Sequence, residues 1–489
     1  MGIIRKQTII GSIFSYSGAV LALVNTTILY PRILSTEQVG LLSWLIATTM
    51  MAAQVSGLGF GAVISRLFPY FRNEENQHNG FMFILFCVGL LGFVISLVAY
   101  FAFQPFAANY FKGDDILNFN YLIYLIPLIF FSLFFNLFDA YNRVLYDAVS
   151  GTFFRDIIFK LIVLASLLLL WGNYIDFNQL VFIYISAYCL PAVLLFALLI
   201  KRKQVSFKPK LNFIKPDLKK IMIDTSLYGL LNNFGDKIAT QIDKLMLAGM
   251  LSLGPTGIFT VMANFGILIS MPSRTLNKIS STIIAEAWKK KDLETISKTY
   301  AQSGLHQFMV ACLLFVGLWV NIDNVLEIVT PEYIEGKYVV FFIGLSNVVL
   351  MLSGISGVVI QTSPAYRKQS HFLGIYAIII VVSNAILIPI WGIVGAAAAS
   401  FAASLCFNLI KYLFLLKRYK FQPLNFRYLL VVVCAILSYF TASLLPKQDS
   451  FIIDIIIRGA IVSIIYIALS LSFKISADLN SYAMKLIKR

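Results

Sequence analysis

The chain has 489 residues, of which 59% are hydrophobic and 13% charged, and its mean hydropathy is +0.83. Soluble domains carry about 25% charged residues, so a soluble fold of this size is excluded, and so is a β-barrel, whose short alternating segments are absent. The formal net charge of +16 has no aromatic-and-basic patch of a nucleic-acid reader beside it; the positive-inside rule accounts for it, and no nucleic-acid partner is expected.

Apolar runs of about 20 residues, each long enough to cross the bilayer as a helix, recur along the whole sequence. The first, MGIIRKQTIIGSIFSYSGAV, has a basic start. Its apolar run is too long for a cleaved leader and no A-x-A site follows, so it reads as a retained helix. Spans are predicted near residues 9–30, 39–65, 81–104, 121–142, 154–172, 178–200, 224–250, 256–280, 303–322, 338–360, 371–390, 393–416, 427–445 and 451–473. The expected class is therefore an all-α integral membrane protein of about fourteen transmembrane helices. An even count puts both termini on one side. The even-numbered loops carry Arg72, Lys201–Lys203, Lys289–Lys291, Arg367, Lys368, Lys417, Arg418 and Lys420, whereas the others carry little beyond Arg32, Lys112, Lys337 and Lys447. Both termini are thus expected in the cytoplasm.

Cys87, Cys189, Cys312, Cys406 and Cys434 lie far apart in apolar runs, and His78, His306 and His371 are scattered. No metal spacing results, and no metal or cofactor is expected. No nucleotide-binding loop and no nucleophile-and-base set appears, so the chain does not read as an enzyme.

The sequence contains a repeat. The longest polar connection, KRKQVSFKPKLNFIKPDLKK at 201–220, separates two similar halves. It is basic enough to rest on an anionic leaflet, though a solvated loop is an equally good reading. Gly40-Leu41-Leu42 after the first span matches Gly257-Ile258-Phe259 after the seventh. Trp171-Gly172 matches Trp391-Gly392, and Lys201-Arg202 matches Lys417-Arg418. The offsets run from 216 to 220, as expected of a duplicated six-helix unit. The predicted domains are a lobe at 1–210 (spans one to six), a lobe at 211–420 (spans seven to twelve) and a C-terminal helix pair at 421–489. Six is even, so both copies insert alike and an axis along the membrane normal relates them, with a central cavity expected between.

Span seven is unusual. NNFGDKIATQIDKLML, residues 232–247, holds four ionisable groups. Ser226, Asn233, Asp236, Thr240 and Asp243 recur at helical spacing on one face, flanked by Lys237 and Lys244. A charge facing lipid at mid-depth costs at least roughly 2.5–3.5 kcal/mol, so these groups face a cavity or one another. Neutralising pairs and a cavity lining are both compatible with the pattern. In span eight Arg274 and Lys278 share a face toward the basic end, and Arg66 ends span two at the same level. Snorkelling to the interface is the simple account of these three. Asp139 with Arg143 and Asp156 with Lys160, each four apart, read as local ion pairs. Gly57, Gly59, Gly61 and the run Gly395–Ala399 read as sites of close helix approach.

The stretches PRILSTEQVG, DKLMLAGMLSLGPTGIF and NAILIPIWGIVGAAAASFAASLCFNLIKYLFLLKRY resemble the polysaccharide-export branch of the multidrug/oligosaccharidyl-lipid/polysaccharide exporter superfamily. The resemblance covers nearly the whole chain. It implies a flippase of the bacterial inner membrane that moves undecaprenyl-pyrophosphate-linked oligosaccharide units of O-antigen, capsule or exopolysaccharide type by alternating access. Membrane lipid, a polysaccharide polymerase and a chain-length regulator are its implied partners. The multidrug antiporters of the superfamily often have an acidic residue in helix one, absent from IIGSIFSYSGAVLALVNTTILY. Its peptidoglycan-precursor flippases have arginines in helices one and two; here only Arg66 lies near. A cation-coupled antiporter and a precursor flippase remain the alternatives, and a membrane-embedded glycosyltransferase or polymerase a third. For a flippase, Arg66, Arg274, Lys278, Lys237 and Lys244 suit a pyrophosphate, since Arg can bind phosphate bidentately and Lys adds a point charge. Asn233 and Thr240 would line the path. Asp236 and Asp243 would neutralise the lysines or bind a coupling ion.

Overall fold

The structure, a computed structural model, describes residues 2–73, 75–110, 121–208, 213, 215–476 and 480. Lys112, used above to orient the chain, lies outside them. Every regular element among the described residues is helical, and eleven helices are long and apolar enough to cross a membrane. In chain order the elements used below are α1 (Gly2–Leu23), α2 (Thr36–Ser56), α3 (Phe60–Phe71), α4 (Phe81–Tyr110), α5 (Leu125–Val144), α6 (Phe159–Trp171), α7 (Phe177–Lys201), α8 (Pro216–Met250), α9 (Leu253–Ile267), α10 (Met271–Lys290), α11 (Leu293–Val320), α12 (Lys337–Leu352), α13 (Ser356–Thr362), α14 (Arg367–Tyr419), α15 (Phe426–Ser443) and α16 (Phe451–Ser472).

The 53-residue α14 is two helices. Gly392 has φ +58 and ψ −132, outside the helical region. The rings of Tyr376 and Phe407 are 4.9 Å apart and those of Phe372 and Phe414 5.3 Å. A straight helix would separate residues 376 and 407 by roughly 46 Å. The chain therefore folds back at Gly392, and spans eleven and twelve are the two arms of a hairpin. A Cβ on Gly395 would lie 2.0 Å from the Leu387 carbonyl oxygen, so the close approach predicted for this run is found at Gly395, just past the fold-back. Two further predicted spans are helical without being among the eleven: residues 150–171, which include a π-helical turn at Phe153–Ile158, and α8.

The described contacts divide the chain into units at residues 1–260 and 261–489. The expected lobe boundary at 210/211 falls inside the first unit, because α8 packs on α2 and α3.

In the first unit, α2 and α3 are the two halves of predicted span two. The helix breaks at Gly57-Leu58-Gly59, where Leu58 has φ +47 and Gly59 φ +70. The break is held from α8: Ser226 Oγ donates to the Leu58 carbonyl, and a Cβ on Gly59 would meet the Ser226 carbonyl oxygen at 2.0 Å and the Leu230 nitrogen at 2.3 Å. On the other side Gly229 faces the Gly59 carbonyl oxygen, 2.7 Å from where its own Cβ would be. Backbone thus meets backbone, which only glycine at both positions permits. Phe68, Phe81, Leu85, Leu133, Phe138 and Leu195 form the apolar core behind this contact. The predicted pairs Arg143–Asp139 and Lys160–Asp156 both form, each at 2.9 Å. After α5, Asp147 accepts hydrogen bonds from the Val149 and Ser150 amides at 3.1 and 3.0 Å and from Ser150 Oγ and Arg202 Nη1 at 2.6 Å each. Burial pushes this carboxyl up, but the bonds from Ser150, Arg202 and Val149 outweigh it and hold the group below its ordinary value.

In the second unit, α11 packs on α10, α12, α15 and α16, and α12 on the α14 hairpin. Here too a span is broken: α12 and α13 are separated at Ser353–Ile355, and Gly354, at φ +52, rests on Gly304 of α11. The α15–α16 pair is tied by a buried ion pair. Arg458 Nε meets Asp454 Oδ2 at 2.7 Å, and its two remaining nitrogens donate to the Ala442 and Leu445 carbonyls. Asp454 also accepts from Asn324 at 2.6 Å and from the Gln448 amide at 3.2 Å. Every arm of the guanidinium is used, which is the condition under which a buried pair is tolerated.

Two outcomes follow. Gly59→Ala should lower the thermal midpoint of the detergent-solubilised protein by several degrees, because the new methyl meets backbone in a left-handed conformation. Gly61→Ala, whose Cβ would have nothing within 4 Å, should leave the midpoint unchanged. Asp147 has a depressed native pKa, so its stabilisation is complete above the ordinary Asp value and is lost as pH falls through the lower native value. Asp147→Asn should lower stability at pH 7 and flatten its acid limb, as read from unfolding midpoints between pH 7 and 3.

Candidate functional site

A cavity of about 360 Å³ lies in the first unit, bounded by the broken α2–α3 span, α5 and α8. The break shapes one wall: Gly57, Gly59 and Gly61 present backbone, while Gln54, Ala62 and Ser65 project from the flanking half-helices. Asn136 and Arg143 come from α5, with Leu133, Leu137 and Ala140 as the apolar part of that wall. Asn233, Asp236 and Lys237 come from α8. The glycine contact at Gly59 and Gly229 sets the register that brings these last three to the cavity, since Asn233 and Asp236 follow Gly229 by four and seven residues and share its face.

Two cations line the space, and each has a carboxylate beside it. Lys237 Nζ is 3.7 Å from Asp236 Oδ2. Arg143 Nη2 is 2.9 Å from Asp139 Oδ2, and its Nε donates to the Asp139 carbonyl at 3.3 Å. Ser65 Oγ donates to the Gly61 carbonyl at 2.9 Å. Behind the wall Arg155 donates to Asn136 at 3.4 Å and to the Tyr188 hydroxyl at 3.1 Å, and lies 4.8 Å from the Phe135 ring centre. It stiffens Asn136 from outside the cavity. Arg143 and Lys237 are thus matched by Asp139 and Asp236, and the local charge is zero. Cations, amides and a hydroxyl set in an apolar frame suit an anionic headgroup bearing hydroxyls, and the volume is within the usual range of about 300–1,000 Å³ for a ligand site.

Of the residues singled out from sequence, Asn233, Asp236 and Lys237 line the cavity. Arg66 lies one turn beyond Ala62 on α3 and is exposed. Thr240, Asp243 and Lys244 lie further along α8, beyond the lining. Thr240 Oγ1 turns back to the Asp236 and Lys237 carbonyls at 3.1 and 3.3 Å, and Asp243 is a charged neighbour of the half-buried Lys244. Arg274 and Lys278 are on α10, and their side chains lie outside those described. The sequence reading missed Gln54, Ser65, Asn136 and the cavity-facing role of Arg143. The break glycines were the available signal for the first two; for Arg143 the i,i+4 pairing with Asp139 concealed it. Among the described residues no group of three His, Cys, Asp or Glu could hold a metal ion, and the five cysteines are unpaired.

No curated protein matches the sequence. Among solved structures, the fold is similar to "Lipid II flippase MurJ, inward closed conformation" (TM-score 0.71, 14% identity, covering 95% of this chain and 98% of that one). It is similar to a multidrug resistance MATE family transporter of the MOP superfamily, in an inward-facing conformation (TM-score 0.64, 13% identity, 82% and 94%). A Vibrio cholerae MATE transporter is a third match (TM-score 0.54, 10% identity, 86% and 97%). At these identities the likeness is one of fold. A sequence profile described as "Polysaccharide biosynthesis protein" matches residues 4–284, more than half of the chain. With that match over more than half of its length, the chain belongs to the polysaccharide biosynthesis protein family.

Proposed function

We propose that this protein is a flippase of the bacterial inner membrane. Its substrate would be an undecaprenyl-pyrophosphate-linked oligosaccharide, the repeat unit of an O-antigen, capsule or exopolysaccharide, moved from the cytoplasmic to the outer leaflet by alternating access. The chain would cross the membrane fourteen times, α8 and residues 150–171 included, with both termini in the cytoplasm. The lobes would be residues 1–210 and 211–420, and the pair at 421–489 an appendage. The observation that carries this reading is the cavity in which Arg143 and Lys237 stand among Gln54, Asn136 and Asn233. The cations suit the pyrophosphate and the amides suit sugar hydroxyls, while the lipid tail stays in the bilayer. Arg66, Arg274, Lys278 and Lys244 would extend the cationic path. Asp236 and Asp243 would balance the lysines when no substrate is bound, or bind a coupling ion. A polysaccharide polymerase and a chain-length regulator would act on the delivered unit.

In proteoliposomes carrying a fluorescent polyprenyl-pyrophosphoryl sugar, Arg143→Ala and Lys237→Gln should each slow flipping by about 10- to 100-fold. That corresponds to the roughly 1.5–3 kcal/mol of a hydrogen bond to a charged group. Normal flipping by the double variant would take the cavity off the substrate path and favour a cation-coupled antiporter on the same fold. A reporter fused after Lys210 should be cytoplasmic and one fused after Glu332 periplasmic; the same side for both would overturn the orientation.

A further inference from the structure

The polar linker does not hang free where it leaves α7. Val205 packs on the apolar core of the first unit, and the Phe207 ring lies 4.9 Å from that of Phe86 on α4. Further along, the Phe213 ring lies 5.1 Å from that of Phe71 at the end of α3, and Leu218, in the first turn of α8, joins the same core. Residues 204–207 thus form a strap on the first unit. Two hydrogen bonds hold its polar side chains. Gln204 Oε1 is 2.7 Å from His78 Nε2, and Ser206 Oγ donates to Gln77 Oε1 at 2.5 Å.

The turn that receives the strap, between α3 and α4, is strained. Gln77, His78 and Asn79 have φ of +49, +51 and +52. Three consecutive side chains thus occupy the left-handed region, where each Cβ crowds the following carbonyl. Bonds to neighbouring residues keep the turn in place. Asn79 Nδ2 donates to the Phe71 carbonyl at 3.3 Å, the His78 amide donates to the Asn73 carbonyl at 2.7 Å, and the Asn73 amide donates to His78 Nδ1 at 3.3 Å. The last bond fixes the tautomer. Nδ1 accepts, so the proton is on Nε2, which donates to Gln204. His78 is 4% exposed, and its ring is 5.1 Å from that of Phe68. A second proton on the imidazole would set an N–H at Nδ1 against the Asn73 N–H, donor against donor, with little solvent to take up either.

The titratable groups on the surrounding elements are engaged elsewhere or exposed. Arg72 lies 5.4 Å from the Phe68 ring centre and donates to the Tyr146 hydroxyl and the Val144 carbonyl. Tyr141 on α5 meets Phe68 edge-on at 5.3 Å. Arg202, two residues before Gln204, is paired with Asp147 at 2.6 Å. Glu75 on the turn and Lys201 and Lys203 before the strap are exposed. Among the described residues, no carboxylate pairs with His78, so nothing there compensates an imidazolium.

We propose that His78 is a proton-operated latch on the linker. With its ring neutral it clamps the strap and, through the strap, the start of α8, the helix that brings Asn233, Asp236 and Lys237 to the cavity. Protonation breaks the Asn73 contact, the strained turn relaxes and the strap comes away. In the topology proposed above this turn is cytoplasmic, so acid in the cytoplasm slows transport. The effect on transport rests on the flippase reading; the latch itself does not.

Maleimide labelling of the full-length protein in detergent tests it, in a variant whose five native cysteines are alanine. Val205→Cys reports release of the strap. Lys208→Cys, exposed on the same linker, is the reference that cancels the pH dependence of the thiol. The ratio of the two labelling rates should rise about threefold or more from about pH 7.5 to about pH 5.5, the interval in which histidines titrate. In His78→Gln, which takes up no proton there, the ratio should be the same at both pH values. In Gln204→Leu, which keeps the turn and loses its bond to the strap, it should be high at both. An unchanged ratio with His78 present, a rise that persists in His78→Gln, or a low ratio in Gln204→Leu overturns the latch. In proteoliposomes buffered alike on both sides, flipping of the fluorescent polyprenyl-pyrophosphoryl sugar should fall about threefold or more over the same interval, and not in His78→Gln. Release of the strap without that fall overturns its hold on transport. If labelling behaves as expected but no probe is flipped at either pH, the flippase reading fails and the latch stands.

Discussion

The structure depends on one constraint: a charged residue inside the apolar zone has to be turned away from lipid. α8 carries Asp236, Lys237, Asp243 and Lys244, and if it crosses the membrane, as proposed, each charge left facing lipid would cost several kcal/mol. What solves the problem is the backbone contact at Gly59 and Gly229. It draws α8 against the broken α2–α3 span so that Asn233, Asp236 and Lys237 meet the cavity wall. A side chain at either glycine would push the helix out and rotate the charges away.

The break at Gly57–Gly59 serves the same end. A continuous helix satisfies its own backbone and offers a cavity only side chains. Interrupting it exposes backbone at depth, which a membrane protein tolerates only where protein or a water-filled cavity covers it. Ser226 covers one freed carbonyl, that of Leu58. The second unit repeats the device at Gly354, packed on Gly304. Breaks of this kind also give a span a place to bend without unfolding either half.

Charge balance in the cavity is local. Lys237 sits beside Asp236 and Arg143 beside Asp139, so neither cation is stranded when the site is empty. An incoming anion would compete with carboxylates already in place. With Asp139 and Asp236 counted, the two cations and their partners carry no net charge.

The sequence by itself determined the membrane class, most helix positions and the basic-loop asymmetry. These rest on hydropathy, length and residue counts, which are local or periodic along the chain. It also determined the ion pairs Asp139–Arg143 and Asp156–Lys160, because an i,i+4 spacing fixes proximity within a helix. Tertiary structure alone decided which polar residues share a space. Asn233, Asp236 and Thr240 look equivalent on a helical wheel, yet only the first two line the cavity, because its depth is set by α5 and by the break in span two. Arg143 reads as a local ion pair with Asp139 until α5 is packed against α3. Gly40 and Gly257 show in sequence only as a repeat match; that a Cβ on Gly257 would be 3.0 Å from the Gly40 nitrogen depends on how α9 returns to α2. Helix periodicity says which way a residue points, and only the packing of distant helices says what it meets.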